Sequence, residues 1–274
     1  MNVWSAWSQG PQRRRFCAVA SAIMLAATAG WAASAVGEEP PTIAGAADLQ
    51  FALTEVAAAF KAETGLDVKL AFGSSGNFTT QIRQGAPFEM FLSADENFVL
   101  DLSKKGFTRD DGALYAIGRI VIIVPHGSPL MADGSLEDLR AALEDGRVQK
   151  FAIANPEHAP YGRRAEEALR HAGLWEASEP QLVLGENVSQ AAQFATAGST
   201  QGGIIAYSLA LSPQVSALGS SALIPAEWHD PLRQRMALLK DAGSTAERFF
   251  AFMQEATARA IMRQYGFVLP VEES

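Results

Sequence analysis

The stretch DVKLAFGSSGN, residues 67–77, places a glycine and serine turn between an apolar strand pattern and a helix pattern. Asp67–Phe72 predicts a strand, and the helix is predicted from Ser75 to Arg83. Glycines let the backbone approach a ligand, while hydroxyls and N–H groups at a helix N-terminus can converge on one anion. The same residues would also serve a simple helix cap, which is the commoner use of such a turn.

A similar strand and helix precede this stretch. Thr42–Ala46 predicts a strand, and apolar residues at helical spacing predict a helix over residues 48–62. The loops Ala46–Leu49 and Gly73–Asn77 are therefore expected to lie side by side. Ligands of open α/β sheets bind outside such strand ends.

Short apolar runs alternate with helical patterns along the rest of the chain, which predicts an α/β architecture with mainly parallel sheets. We expect two lobes, the first built from residues 36–118 and 226–274 and the second from residues 119–225. Further strands are predicted at Phe88–Leu92, Arg119–Val124, Phe151–Ala154, Gly203–Ala206 and near Met236–Leu239, and further helices at Leu136–Leu143, Arg163–Ala172, Ser189–Ala197, Thr245–Gln254 and Ala256–Tyr265.

The first 35 residues have the order of a signal peptide. Three arginines at 13–15 precede an apolar run that begins at Phe16, and Ala33-Ser34-Ala35 is a small-residue cleavage site. An uncleaved membrane anchor is the alternative, because about 20 apolar residues can span a bilayer. The small-residue ending favours cleavage and a periplasmic location. Cys17 lies at the start of the run, where a lipoprotein cysteine would not, so neither a lipid anchor nor a disulfide is expected.

The chain beyond this segment is acidic. Three of the 22 basic residues and none of the 30 acidic ones fall within residues 1–35, which leaves 19 basic against 30 acidic residues and a formal charge of −11. This balance disfavours nucleic acid as a partner. It does not exclude an anion, because a buried site can hold one with neutral dipoles.

Motifs for nucleotide or hydrolase chemistry are missing from the sequence. There is no Gly-x-x-x-x-Gly-Lys-Ser/Thr, no Gly-x-Gly-x-x-Gly after the first strand and no Gly-x-Ser-x-Gly with a histidine placed as its base. We therefore expect a protein that is not an enzyme and has no cofactor and no site for a bare metal cation. The histidines are scattered and are expected in surface or loop positions: His126, His158, His171 and His229.

Five blocks, in order along the chain, resemble the bacterial periplasmic molybdate-binding proteins (ModA-like) over nearly the whole length after residue 35. Individually these blocks are modest, and together they are specific. They are residues 46–49 (AADL), 72–77 (FGSSGN), 85–95 (GAPFEMFLSAD), 155–162 (NPEHAPYG) and 263–267 (RQYGF).

The resemblance implies a type II periplasmic-binding-protein fold, with two α/β lobes and a ligand cleft between them. It implies that the protein binds a small oxyanion, molybdate or tungstate, and docks on an ABC transporter permease in the inner membrane. A monomer is expected. No cofactor is implied beyond this ligand.

The resemblance also implies ligand-binding residues, because the family holds the oxyanion with hydroxyls and backbone amides from both lobes and no positive side chain. Ser75, with Ser74 beside it, matches the family serine at the start of the second helix. Tyr161 and Val188 fall at the ligand positions of two later loops. The family tyrosine would fall at Ala206, and Tyr207 is expected to reach the site from the next position.

Asp48 departs from this pattern, because a family serine normally contacts the oxyanion there. A carboxylate about 4 Å from a dianion is repelled by roughly 2 kcal/mol in water. Asp48 could cap its own helix and turn away, it could be protonated and donate a hydrogen bond, or the ligand could be something other than a molybdate-like dianion. The alternative functions are a same-fold binder of a different solute, with Asp48 as its counter-charge, and an exported enzyme.

Overall fold

The computed structural model describes residues 39–270. The predicted signal peptide, residues 1–35, lies outside this range. Among the described residues, no helix combines the length and the apolar character needed to cross a membrane.

The described residues form two five-stranded sheets with helices around them. The first sheet has the order β2-β1-β3-β10-β4 and the second the order β7-β6-β8-β5-β9. The strands are β1 Thr42–Ala46, β2 Lys69–Gly73, β3 Met90–Ser93, β4 Ala113–Gly118, β5 Ile120–Pro125, β6 Phe151–Ala154, β7 Leu182–Gly185, β8 Gly202–Ala206, β9 Gly219–Leu223 and β10 Leu232–Leu238.

Helices connect most of these strands, and short 3-10 turns lie at Ala47–Leu49, Glu179–Gln181 and Ala226–Trp228. The α-helices are α1 Gln50–Thr64, α2 Ser75–Arg83, α3 Glu96–Lys104, α4 Glu137–Glu144, α5 Pro160–His171, α6 Trp175–Ser178, α7 Val188–Thr196, α8 Tyr207–Ala210, α9 Pro213–Ser216, α10 Ser244–Phe252 and α11 Ala256–Gln264.

The prediction of mainly parallel sheets is wrong, because both sheets are mixed. β1 pairs in parallel with β2 and β3, and β6 pairs in parallel with β7 and β8. The pairings of β5 and β10 are all antiparallel. These two strands enter their sheets where the chain passes from one sheet to the other, and not through the helical crossover that a parallel neighbour requires.

Seven elements were not predicted from the sequence: the helices α3, α6, α8 and α9 and the strands β4, β7 and β9. The strand β9 shows why, since its GSSAL sequence has little apolar character and most of its residues are at least partly exposed. It is held as an edge strand by backbone pairing with β5. Local hydrophobic periodicity does not reveal such a strand.

The first sheet is covered on both faces, because neighbouring residues of a strand point in opposite directions. In β3, Met90 and Leu92 join the core that contains α1, α10 and α11, while Phe91 joins the core beneath α2 and α3. Phe60 of α1 is fully buried and packs edge-on against Phe249 and Phe252, with ring centroids 5.1 and 5.4 Å away. The C-terminal helix α10 thus completes the core of the first sheet.

Parallel pairing also fixes where the loops meet. Ala46 at the end of β1 is level with Gly73 at the end of β2. In the second sheet, Ala154 at the end of β6 is level with Gly185 at the end of β7. Each sheet therefore places two consecutive strand-to-helix loops side by side.

Replacing Phe60 with Ala should lower the free energy of unfolding by about 3–5 kcal/mol, because it leaves a cavity against two aromatic rings. Urea unfolding measures the change. Met131→Ala is the matched control, since the Met131 side chain is 66 % exposed and its loss should change stability by less than about 0.5 kcal/mol. Equal losses in the two variants would contradict the packing described for α1.

Candidate functional site

A small pocket lies where the loops after β1, β2 and β3 of the first sheet meet the loops after β6 and β7 of the second. Its empty volume is about 190 Å³, which includes the part that is open to solvent. It is lined by Ala46, Ala47, Asp48, Gly73, Ser74, Ser75, Ala94, Ala159, Pro160, Tyr161, Asn187 and Val188. None of these lining residues, all within the described part of the chain, is Lys or Arg.

Four helical segments begin at this pocket. They are the 3-10 turn at Ala47, α2 at Ser75, α5 at Pro160 and α7 at Val188. The first N–H groups of a helix have no partner within the helix, and the helix dipole gives that end a partial positive charge. Four such ends around one small space favour an anion without any cationic side chain.

Ser75 is a fully buried donor at the start of α2. Its hydroxyl oxygen accepts a hydrogen bond from the N–H of Ala94 at 3.0 Å. The oxygen is oriented by this contact, and the hydroxyl hydrogen remains to be donated in another direction. Ser75 lines the pocket, so that hydrogen can serve a bound anion.

Ser74 has a different role, because its hydroxyl is engaged within the protein. It caps α2 by accepting from the N–H of Asn77 at 3.3 Å, and it lies 3.0 Å from Nδ1 of His158. His158 lies in a loop, as expected, but its contact with a serine was not predicted from sequence spacing. Its position in the loop before α5 brings it against the start of α2, since the two loops close over each other.

Further contacts join the two sheets along this edge of the pocket. The N–H of Gly76 donates to the carbonyl of His158 at 3.0 Å, and Asn77 donates to the carboxylate of Glu186. Nε2 of His158 lies 3.8 Å from the Glu186 carboxylate. A side chain at Gly76 would not fit, because its Cβ would stand 2.6 Å from the His158 carbonyl oxygen.

The start of α7 supplies a second capped turn. The Asn187 side chain accepts hydrogen bonds from the backbone N–H groups of Ser189 and Gln190. It does not cap the backbone N–H of Val188. An asparagine directly before a predicted helix is a sequence signal for such a cap, and it could have identified Asn187. Val188 lines the pocket at the first position of α7, where backbone N–H groups have no partner within the helix.

Asp48 is 1 % exposed and forms the floor of the pocket together with residues from both sheets. Its Oδ2 accepts from the hydroxyl of Tyr161 at 2.9 Å and from Nε2 of Gln234 at 2.7 Å. Nε2 of Gln234 also lies 3.1 Å from the Tyr161 oxygen, and Oε1 of Gln234 accepts from Tyr115 at 2.8 Å. Gln234 and Tyr115 belong to β10 and β4, and no local sequence pattern indicates that either lies at this site.

The expected helix cap by Asp48 is not formed, because its described hydrogen bonds go to Tyr161 and Gln234 and neither the 3-10 turn nor α1 has a side-chain cap. Burial raises the pKa of Asp48 to about 6, and the hydrogen bonds from Gln234 and Tyr161 limit the rise. Burial and the nearby Asp48 also raise the pKa of Tyr161 well above its usual value. Oδ1 of Asp48 has no hydrogen-bond partner among residues 39–270.

Two serines from helices of the second sheet donate hydrogen bonds to backbone carbonyls of the loop after β1. The Ser189 hydroxyl donates to the carbonyl of Ala47, and the Ser208 hydroxyl donates to the carbonyl of Asp48, both at 2.8 Å. The segment that carries Asp48 is therefore fixed by side chains from the opposite sheet.

The structure brings together five of the six residues expected at the site: Asp48, Ser74, Ser75, Tyr161 and Val188. Tyr207 lies outside the pocket lining. It begins α8, its N–H donates to the carbonyl of Arg119 at 2.9 Å, and its ring lies against Gly266. Within residues 39–270, no group of three His, Cys, Asp or Glu side chains is arranged to hold a metal ion.

Two mixed α/β sheets whose loops form a pocket of neutral donors define the class of a small-anion binder. The chain belongs to the family of bacterial extracellular solute-binding proteins, whose model matches residues 41–268. The resemblance to ModA-like proteins and the periplasmic-binding-protein fold are both confirmed by the relatives described next.

The molybdate-binding protein ModA of Rhodobacter capsulatus is 35% identical over 264 residues, which cover 95% of this chain and 99% of that protein. The periplasmic molybdate-binding protein of Azotobacter vinelandii superimposes with a TM-score of 0.75 at 28% identity, covering 84% of this chain and 100% of that one. The sulfate-binding protein SubI of Mycobacterium tuberculosis shares the fold, with a TM-score of 0.69 at 17% identity over 86% and 88% of the two chains.

Asp48→Asn should stabilise the protein at neutral pH. Because the folded-state pKa is raised from 3.8 to about 6, ionised Asp48 destabilises the folded state fully above about pH 6 and not at all below about pH 4. The gain in the free energy of unfolding should grow from pH 4.5 to pH 7.5 and reach about 3 kcal/mol at most. Urea unfolding across this pH range measures it.

Asp67→Asn is the control for this measurement. Asp67 is exposed, and its hydrogen bond and ion pair with Lys61 lower its pKa, which is the opposite direction. Asp67→Asn should give no gain in the free energy of unfolding at neutral pH. A gain for Asp48→Asn that stays constant with pH would contradict the raised pKa.

Proposed function

We propose that this chain captures molybdate or tungstate outside the cytoplasm and delivers it to the permease of an ABC importer in the inner membrane. The observation that carries the proposal is the convergence of four helix N-termini and the Ser75 hydroxyl on one pocket without a cationic side chain. Relatives named as molybdate-binding proteins match nearly the whole chain, which supports the same ligand here.

In this proposal the oxyanion accepts hydrogen bonds from both sheets. The hydroxyl of Ser75 and the N–H groups at the start of α2 would hold it from one side. The N–H of Val188 and the start of α5 at Tyr161 would hold it from the other side. Ser74 would line the pocket and hold the start of α2 in place through its cap. Fixed dipoles of this kind stabilise charge without the reorganisation that water would require.

Two lobes would move relative to each other as the ligand binds: residues 36–118 with 226–274, and residues 119–225. The contacts of Gly76 with His158 and of Asn77 with Glu186 cross between them. The ligand would shift the equilibrium toward the closed arrangement, because only that arrangement offers donors from both sides.

Export is part of the same proposal, since a periplasmic binder must cross the inner membrane. Residues 1–35 would direct export and be removed, leaving a monomer that binds its solute without altering it.

Ser75→Ala should weaken molybdate binding about 10- to 100-fold, because it removes a hydrogen bond to a charged ligand. Isothermal titration of the purified protein with molybdate, tungstate and sulfate measures the affinities. Ser220→Ala, on the exposed edge strand β9, is the matched control and should bind as the wild type does. If the wild type gives no heat with molybdate or tungstate, the proposed ligand is wrong.

Gly76→Ala tests closure. Alanine is the better helix former at this position in α2, so the free energy of unfolding should not fall. The added Cβ would collide with His158 only when the loops meet, and molybdate affinity should drop about 10- to 100-fold. Gln81→Ala, on the exposed face of α2, is the control. At molybdate concentrations that saturate this control, small-angle scattering should show contraction of the control and no contraction of Gly76→Ala.

Catalysis is the alternative that the Ser74–His158 contact raises, since a serine beside a histidine can act as a nucleophile with its base. Here the serine oxygen also caps a helix, which opposes attack on a substrate. Incubation with an activated ester such as p-nitrophenyl acetate tests this. Release of nitrophenol that is lost in Ser74→Ala would favour an enzyme, whereas recovery of bound molybdate unchanged supports a binder.

Asp48 favours one further candidate, a binder of a different solute that carries a positive charge. A buried carboxylate is a natural counter-charge for an ammonium or guanidinium group. Mass spectrometry of the ligand released from protein purified out of the periplasm distinguishes this candidate from an oxyanion.

A further inference from the structure

A chain of hydrogen bonds at the pocket floor ends on one oxygen of Asp48. Tyr115 donates to Oε1 of Gln234, which turns the amide nitrogen toward Asp48 and Tyr161. That nitrogen and the Tyr161 hydroxyl both donate to Oδ2 of Asp48. Oδ2 thus receives two donors, and Oδ1 receives none among the described residues.

A proton on this carboxyl therefore has one place to lie. Oδ2 is occupied by two donated hydrogens, so the proton would reside on Oδ1. Oδ1 would then be a donor, in a pocket whose other groups are also donors. An ionised carboxylate at the same place would repel an anion and leave a buried charge with one oxygen unpaired.

We propose that Asp48 binds the oxyanion as a neutral acid, donating a hydrogen bond from Oδ1, so that each dianion is captured together with one proton. The inference rests on the proposed capture of molybdate or tungstate. It adds that the site binds the oxyanion only when Asp48 is protonated. Molybdate taken up at higher pH would have to bring a proton with it.

The groups around Asp48 are consistent with a neutral acid. Tyr161 faces it from α5 and Tyr115 from β4. Burial raises the pKa of both phenols well above the usual value, so both remain neutral donors. Within residues 39–270, no Lys or Arg side chain bonds to Asp48. Burial already raises its pKa to about 6, and a dianion nearby would raise that pKa further.

One other titratable pair lies at the pocket and must be separated from Asp48. His158 contacts Ser74 and lies near Glu186 on the opposite edge. Because His158 and Glu186 are ionisable groups beside the same pocket, pH dependence alone does not identify Asp48 as the group that responds.

The test is a proton count. Titrations of molybdate into the wild type at pH 6, 7 and 8, each in two buffers of different ionisation enthalpy, give both the affinity and the protons taken up. We expect the affinity to fall about fivefold from pH 6 to pH 7 and about tenfold from pH 7 to pH 8, with about one proton absorbed per molybdate at pH 8. This measurement on the wild type requires no variant.

Asp48→Asn is the matched variant, because its carbonyl can accept from Tyr161 and Gln234 while its NH₂ group donates from the Oδ1 position. Its affinity should be constant from pH 6 to pH 8, with no proton absorbed, and about 100-fold above that of the wild type at pH 8. His158→Gln should retain the slope and the proton uptake of the wild type.

Three results would overturn the inference. One is wild-type binding with no pH slope and no proton uptake, and another is a slope that disappears in His158→Gln and persists in Asp48→Asn. Both leave molybdate binding intact and the proposed function standing. Absence of molybdate binding in the wild type and in Asp48→Asn at every pH would instead overturn the proposed function, and the inference with it.

Discussion

Parallel strands that end level with each other are the constraint on which the pocket depends. Ala46 and Gly73 end one such pair, and Ala154 and Gly185 end the other. A helical segment starts just after each of these strands, so their N–H groups meet in one small volume. This arrangement allows an acidic protein to offer an anion a favourable site, because the donors are backbone dipoles whose sign does not depend on net charge.

The sequence predicted the parts of this arrangement that are local. β1, α2 and β6 follow from their own apolar patterns, and the serines before and within α2 follow from the turn that carries them. The position of Tyr161 came from a family block and that of Val188 from the wider family resemblance, and neither came from periodicity. The fold class was therefore predictable, whereas the pocket floor was not.

Gln234 shows the physical reason. It lies in β10, which returns from the second sheet and pairs antiparallel between β3 and β4. That return places a glutamine beneath a loop nearly two hundred residues earlier in the chain. Nothing in the sequence around Asp48 indicates that its Oδ2 will accept hydrogen bonds from Tyr161 and Gln234. The sequence therefore could not decide among the three alternatives for the Asp48 side chain. This antiparallel strand and β5 are also the two that made the expectation of mainly parallel sheets wrong.

The serines that bond to the first loop have a consequence for the kind of solute excluded. Carbonyl oxygens beside a pocket would normally attract cations and repel anions, but those of Ala47 and Asp48 are already satisfied by Ser189 and Ser208. Each of these carbonyl oxygens therefore has at least one lone pair engaged by a hydroxyl. A hydrated or ammonium-type cation that entered would find these two carbonyl oxygens already engaged and would depend on the Asp48 carboxylate alone. Rejection of the wrong charge would then arise from hydroxyls that never touch the solute.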